Sequence, residues 1–200
     1  MNNKTRIIGL ATLGLSAGFA HAGLLNDGEF DQGETFWGKF GAADFNDFFG
    51  GDAHASFFAD GNGNFGGVFQ AGLASSAGDI YSFTLDNVRI EDNFNADFRF
   101  GLEFYAADDS TKLGESFFVI DTSDQNDGLV TGDSLTYSMQ ASAVAGASFV
   151  RPVILFDNAN PVSSSQANAF VFSASLGVVP SPATLSLGLI GVAATTRRRR

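Results

Sequence analysis

The sequence predicts an all-β domain, a two-sheet antiparallel sandwich, preceded by a hydrophobic leader and followed by a short C-terminal hydrophobic helix. Three observations carry this. Apolar and polar residues alternate with a period of two at 81–86, 98–104 and 135–139, the mark of strands with one buried face. Clusters of turn-forming residues punctuate the chain: Asp60-Gly61-Asn62-Gly63-Asn64, Ala107-Asp108-Asp109-Ser110 and Asp124-Gln125-Asn126-Asp127-Gly128. Their side chains bond the local backbone, and glycine supplies positive φ. Between the two ends, no stretch repeats its apolar residues at helical spacing.

Residues 1–22 read as a secretory signal peptide. Lys4 and Arg6 make a positive start, residues 7–19 are apolar, and Ala20-His21-Ala22 places small residues at the two positions a signal peptidase reads. Cleavage between Ala22 and Gly23 is expected, with the domain occupying residues 23–177.

That span suits one domain with a real core. Of the 11 basic residues, Lys4, Arg6 and Arg197 to Arg200 lie in the two ends, leaving Lys39, Arg89, Arg99, Lys112 and Arg151 against all 22 carboxylates, a net charge near −17. Such a surface repels nucleic acid and anionic membranes and attracts divalent cations. There is no cysteine, so stability rests on packing in a compartment where disulfides could form. The 22 phenylalanines supply the material. Strands are expected at 81–86, 98–104 and 135–139 and, less cleanly, at 36–40, 55–59, 65–70, 117–120, 149–156 and 169–176. The register of the first group turns Tyr81 and Tyr137 toward the core. The Gly- and Asp-rich stretch 41–52 reads as a loop displaying Phe45, Phe48 and Phe49. It is either tucked over the sandwich edge, the favoured reading, or a contact surface.

The tail occupies residues 178–200. Ser181 is a good N-cap and Pro182 a good first helical residue. Residues 183–196 carry no charge, and as a helix they reach ~21 Å, less than the ~30 Å hydrocarbon core of a bilayer. Arg197, Arg198, Arg199 and Arg200 hold that end on the cytoplasmic side. The expectation is a short transmembrane helix acting as a provisional stop-transfer signal. Val179-Pro180-Ser181-Pro182, the run Pro182-Ala183-Thr184-Leu185, the apolar stretch and the terminal arginines together resemble the PEP-CTERM sorting signal of exopolysaccharide-producing Gram-negative bacteria. That family carries Val-Pro-Glu-Pro where this chain has Val-Pro-Ser-Pro. The resemblance implies an exosortase-like transpeptidase as partner, transient membrane insertion, and delivery from the inner membrane to the cell surface or extracellular matrix.

A second resemblance covers the body. Leu24-Leu25-Asn26-Asp27-Gly28-Glu29-Phe30-Asp31, the early Trp37, Gln70-Ala71-Gly72, Tyr81-Ser82-Phe83 and the closing Phe170-Val171-Phe172-Ser173-Ala174-Ser175-Leu176 resemble galactose-binding-type carbohydrate-binding jelly rolls. The resemblance implies a jelly-roll-like sandwich and a structural calcium held partly by a carboxylate after the opening Phe, which Asp31 matches. Phe172 and Ser173 stand where the family's last-strand aspartates are expected. A second candidate for calcium is the set Asp60, Asn62 and Asn64, which offers oxygens at positions 1, 3 and 5 of an EF-hand-like loop. Phe65 and Ala71 occupy the positions that need Gly and Glu, so it is not an EF-hand, and a polar hairpin turn is the favoured reading. The cluster Asp121, Asp124 and Asp127 is read in the same way.

Catalytic groups are scarce. His54 is the one imidazole of the expected mature chain, without a nucleophile elbow, and is read as a strand-edge residue. No zinc spacing, Walker loop or dinucleotide fingerprint occurs. The expectation is an exported, non-catalytic structural or adhesive protein of a biofilm or exopolysaccharide matrix. The alternative is a carbohydrate-binding module for exopolysaccharide, with Trp37, Phe48 and Phe49 as candidate ligand contacts, and a small glycan hydrolase stands third.

Overall fold

The computed structural model describes residues 23–60, 63–91, 94, 96–120, 135–157 and 167–179, except the side chains of Phe48 and Phe49. Several expectations lie outside the described residues: the leader with Ala20 and Ala22, the tail from Pro180, Ser181 and Pro182 through Arg197, Arg198, Arg199 and Arg200, Asn62, and the loop with Asp121, Asp124 and Asp127.

The described residues form two antiparallel sheets. In chain order the strands are β1 (Gly38–Gly41), β2 (Ala43–Phe49), β3 (Asp52–Ala59), β4 (Phe65–Phe69), β5 (Leu73–Ala74), β6 (Ile80–Ile90), β7 (Asp97–Tyr105), β8 (Lys112–Ile120), β9 (Leu135–Ser142), β10 (Phe149–Asp157) and β11 (Ala167–Val179). The first sheet has the order β1-β4-β10-β7-β8, with β5 also on β10; the second has β2-β3-β11-β6-β9. Among the described residues no helix is long and apolar enough to cross a membrane.

The core fills the space between the sheets. Phe57, Tyr81, Phe83, Phe98, Phe100, Phe104 and Phe156 are all buried there. Phe83 of β6 meets Phe100 of β7 with centroids 5.5 Å apart at 64°, and Phe57 of β3 meets Phe98 of β7 at 5.1 Å and 65°. Edge-to-face pairs of this kind add ~0.5–1.5 kcal/mol each beyond the area they bury. Tyr81 points inward as the alternation requires, and Tyr137 packs against the core at its margin.

Two features differ from the sequence reading. The stretch read as a loop with three phenylalanines is largely β2, paired with β3 from Ala43↔Phe57 to Phe49↔Asp52 through a register shift. Phe45 faces inward and stacks on Phe30 at 6.1 Å. The last strand also runs beyond residue 177, since Val178 and Val179 pair with Tyr81 and Ile80. The opening segment flanks the same strand: Leu24 N donates to Leu176 O at 2.9 Å, and Ala174 N donates to Gly28 O at 2.7 Å. β3 pairs only with residues 167–171 of β11, so the opening segment covers the edge that β3 leaves. A Cβ on Gly28 would stand 2.5 Å from Ala174 O, so this approach needs glycine.

Candidate ligand-binding face

Every second residue of the first sheet points away from the core, and the register sets these residues in rows across the strands. One row reads Gly38, Phe69, Val153, Gly101, Phe117; the next reads Phe40, Gly67, Leu155, Arg99, Val119. Toward one end follow Phe65, Asp157 and Asp97; toward the other, Arg151, Glu103 and Glu115, then Phe149, Tyr105 and Lys112.

Glycines and rings interlock in these rows. A Cβ on Gly38 would lie 2.4 Å from Phe69 Cζ, one on Gly67 2.6 Å from Phe40 Cζ, and one on Gly101 2.6 Å from Phe117 Cδ1. Each ring fills the space above a glycine on the neighbouring strand, which repairs the weak packing of a bare strand position. Phe40 lies 6.2 Å from Phe65 and 6.4 Å from Phe69. Phe65 is 59% exposed and Val119 58%.

Arg151 extends this aromatic line. Its guanidinium carbon stands 5.2 Å from the Phe69 ring and 4.0 Å from the Tyr105 ring. Arg151 Nη1 donates to Tyr105 Oη at 3.1 Å, and Nη2 donates to Asp109 O at 3.3 Å. Tyr105 Oη in turn donates to Glu103 Oε2 at 2.7 Å. Burial first, then the bond to Glu103, raises the Tyr105 pKa above its usual value, so the phenol keeps its proton. Lys112 bridges Glu115 at 2.8 Å and Glu103 at 3.1 Å, and these partners push its pKa up to about 12. The line from Phe65 through Phe40, Phe69 and Arg151 to Tyr105 crosses five rows, four row spacings along the strands and two strand spacings across them, roughly 28 Å. Phe65, Phe40 and Phe69 offer flat apolar surface, and Arg151, held by the buried Tyr105, borders it with a fixed polar group, the combination that holds an amphipathic polymer such as a glycan chain.

The residues singled out in the sequence fall elsewhere. Trp37 is buried at 1% exposure, its indole N–H donating to Asp27 O at 2.7 Å and its ring 5.0 Å from Phe30. It belongs to the core and shows no face to a ligand. His54 is no exposed strand-edge residue: it is fully buried in β3, between β2 and β11. Asn64 Oδ1 accepts from Asp60 N at 3.1 Å while Nδ2 donates to Phe58 O at 2.7 Å. Both ends of that amide thus brace the β3–β4 connection. Asp31 is exposed. Among the described residues no three His, Cys, Asp or Glu side chains converge as a metal site would require. Val179 is the last paired residue of β11.

The outer aromatics of β1 and β4 were missed because their partners are distant in sequence. Their signal is two Gly-x-Phe triplets, Gly38-Lys39-Phe40 and Gly67-Val68-Phe69. Antiparallel pairing sets each ring over the other's glycine.

No protein-family model matches the sequence, and no curated protein matches it significantly. The fold is similar to solved structures. One is the enzymatically active domain of the bacteriophage CBA120 tailspike protein 4, at a TM-score of 0.56 and 8% identity, covering 78% of this chain and 21% of that one. Another is TmCBM61, solved with β-1,4-galactotriose, at a TM-score of 0.51 and 12% identity, covering 78% of this chain and 99% of that one. The chain thus spans about a fifth of the tailspike chain and nearly all of the TmCBM61 chain. These likenesses define the class of fold, a jelly-roll-like two-sheet β-sandwich shared with TmCBM61.

Proposed function

We propose that the domain is a non-catalytic polysaccharide-binding module of the cell exterior, and that it works as an adhesive element of an exopolysaccharide matrix. The observation that carries this is the line Phe65, Phe40, Phe69, Arg151, Tyr105 on the outer face of the first sheet. Such a surface on a highly charged body has a use in contact with an extended, partly apolar partner. The shared fold with TmCBM61 supports the reading. Affinity electrophoresis in gels containing the host's exopolysaccharide tests it. The wild-type domain is expected to be retarded, and Phe65→Ser combined with Phe69→Ala to lose at least tenfold in affinity while staying folded.

Export and sorting complete the proposal. The order of leader, domain, Val179-Pro180-Ser181-Pro182, apolar run and Arg197 to Arg200 supports removal of both ends. Intact mass of the protein from its host is expected to correspond to residues from Gly23 to near Val179, with or without an added group. A mass retaining the four arginines in the membrane fraction alone would contradict the processing.

A further inference from the structure

Arg99 stands apart from the other four basic residues of the domain. Lys39 bridges Glu34 and Asp44, Lys112 bridges Glu103 and Glu115, and Arg151 bonds Tyr105 and Asp109 O. Arg89 Nε donates to Asn87 Oδ1 at 3.1 Å, and its guanidinium lies 4.3 Å from the Phe172 ring. Arg99 has the Phe117 ring, 5.6 Å from its guanidinium carbon, while its buried Nε has no hydrogen-bond acceptor among the described residues. In a chain with 22 carboxylates, none of those among the described residues forms an ion pair with this guanidinium.

Its position explains what it could meet. Leu155 and Val119 flank Arg99 across the strands, and Gly101 and Phe117 lie in the next row. Asp97 and Asp157 occupy the row on the other side, so an anion is favoured only from the Gly101 side. A guanidinium stacked on an aromatic ring keeps a planar fork of donors that fits a carboxylate through two parallel bonds. Phe65 and Phe69 of β4 are two strands away, roughly 10 Å. A sugar chain seated on those rings can turn a carboxylate toward Arg99. The negative body repels an acidic polymer at long range, but a Debye length of ~8 Å at physiological salt screens all but the contact itself.

We infer that the outer face selects a carboxylated polysaccharide, one bearing uronic acids or equivalent acidic substituents, and that Arg99 reads the carboxylate. The inference rests on the glycan-binding reading of this face. It is tested with the intact domain by affinity electrophoresis in alginate, polygalacturonate and hyaluronan, each beside its carboxyl-reduced, neutral form. The wild type is expected to bind at least one carboxylated polymer tenfold or more tightly than its reduced form. Arg99→Gln is expected to abolish that ratio while leaving retention on the reduced polymer and the melting temperature unchanged, and Arg99→Lys to restore part of it. Equal wild-type retention on both forms, or an unchanged ratio in Arg99→Gln, overturns the inference. In that case, loss of retention in the Phe65→Ser/Phe69→Ala variant would leave the glycan-binding reading standing. Absence of wild-type retention on every polymer would overturn both.

Discussion

His54 lies on the outer side of the second sheet, yet it is fully buried, its ring 5.0 Å from Phe172 and 5.5 Å from Phe170. Its Nδ1 is 2.8 Å from Asp52 O. Burial is the largest influence on its pKa and lowers it; the Asp52 carbonyl and the charges of Asp47 and Asp52 oppose this, while Arg89 reinforces it. A histidine held neutral in the fold is protonated more readily in the unfolded chain, so stability falls as pH drops below the unfolded value of about 6.5 and levels off below the folded one. Asp44, held low by Lys39, and Asp108, held low by the Thr111 and Ser110 backbone, lose their charge only at more acidic pH. Between pH 7 and 5 the melting temperature is therefore expected to decline, and His54→Gln to flatten the slope. An equal slope in that variant would place its origin elsewhere. Trp37 makes the complementary point about single residues. Nothing in its sequence neighbourhood distinguishes a sugar platform from a core residue whose N–H finds a backbone carbonyl.

The crossing from β1 to β2 carries the chain from one sheet to the other within two residues. Ala42 N donates to Phe65 O at 3.0 Å, and Phe58 N donates to Ala42 O at 3.0 Å, so Ala42 is bonded to both sheets. Gly41 has φ +61°, and a Cβ there would lie 2.0 Å from Phe65 O; a Cβ on Gly66 would lie 2.6 Å from Ala42 N. Neither obstacle is a flexible side chain. Gly41→Ala is expected to cost ~1–3 kcal/mol from the left-handed backbone alone, more with the clash, read as a lower urea midpoint at constant slope. A change below 0.5 kcal/mol would mean that the corner relaxes freely. Pro152 is another element-scale case, lying in β10 between strands. Its C=O accepts from Gln70 N at 3.2 Å, on the side where β10 passes from β4 to β5. The missing N–H therefore faces the break in pairing and leaves the β7 ladder intact. The alternation of β6, β7 and β9 was legible because one face of each strand meets the core. β2 was not, because its register shifts between Asn46 and Phe49 and two phenylalanines follow each other there.

On the scale of the molecule, the sandwich could be anticipated from short alternating segments and frequent turns, whereas the strand order could not. β4 pairs with β10 and β3 with β11, across most of the chain, and no local pattern encodes such pairings. The candidate face depends on this order, because Phe40, Phe69 and Tyr105 converge only when β1, β4, β10 and β7 are neighbours. Arg99 could be placed outward from its own strand. That no acidic partner among the described residues meets it is a property of the assembled fold.

The most direct measurement is affinity electrophoresis of the wild-type domain and the Phe65→Ser/Phe69→Ala variant in the host's exopolysaccharide, with melting temperatures taken in parallel. The account expects retardation of the wild type, loss of at least tenfold in affinity in the variant, and a variant that still melts cooperatively, at a temperature lowered by the loss of the Phe69 ring over Gly38. Retardation that survives both substitutions, or a wild type that migrates as it does without polymer, would contradict the assignment of this face.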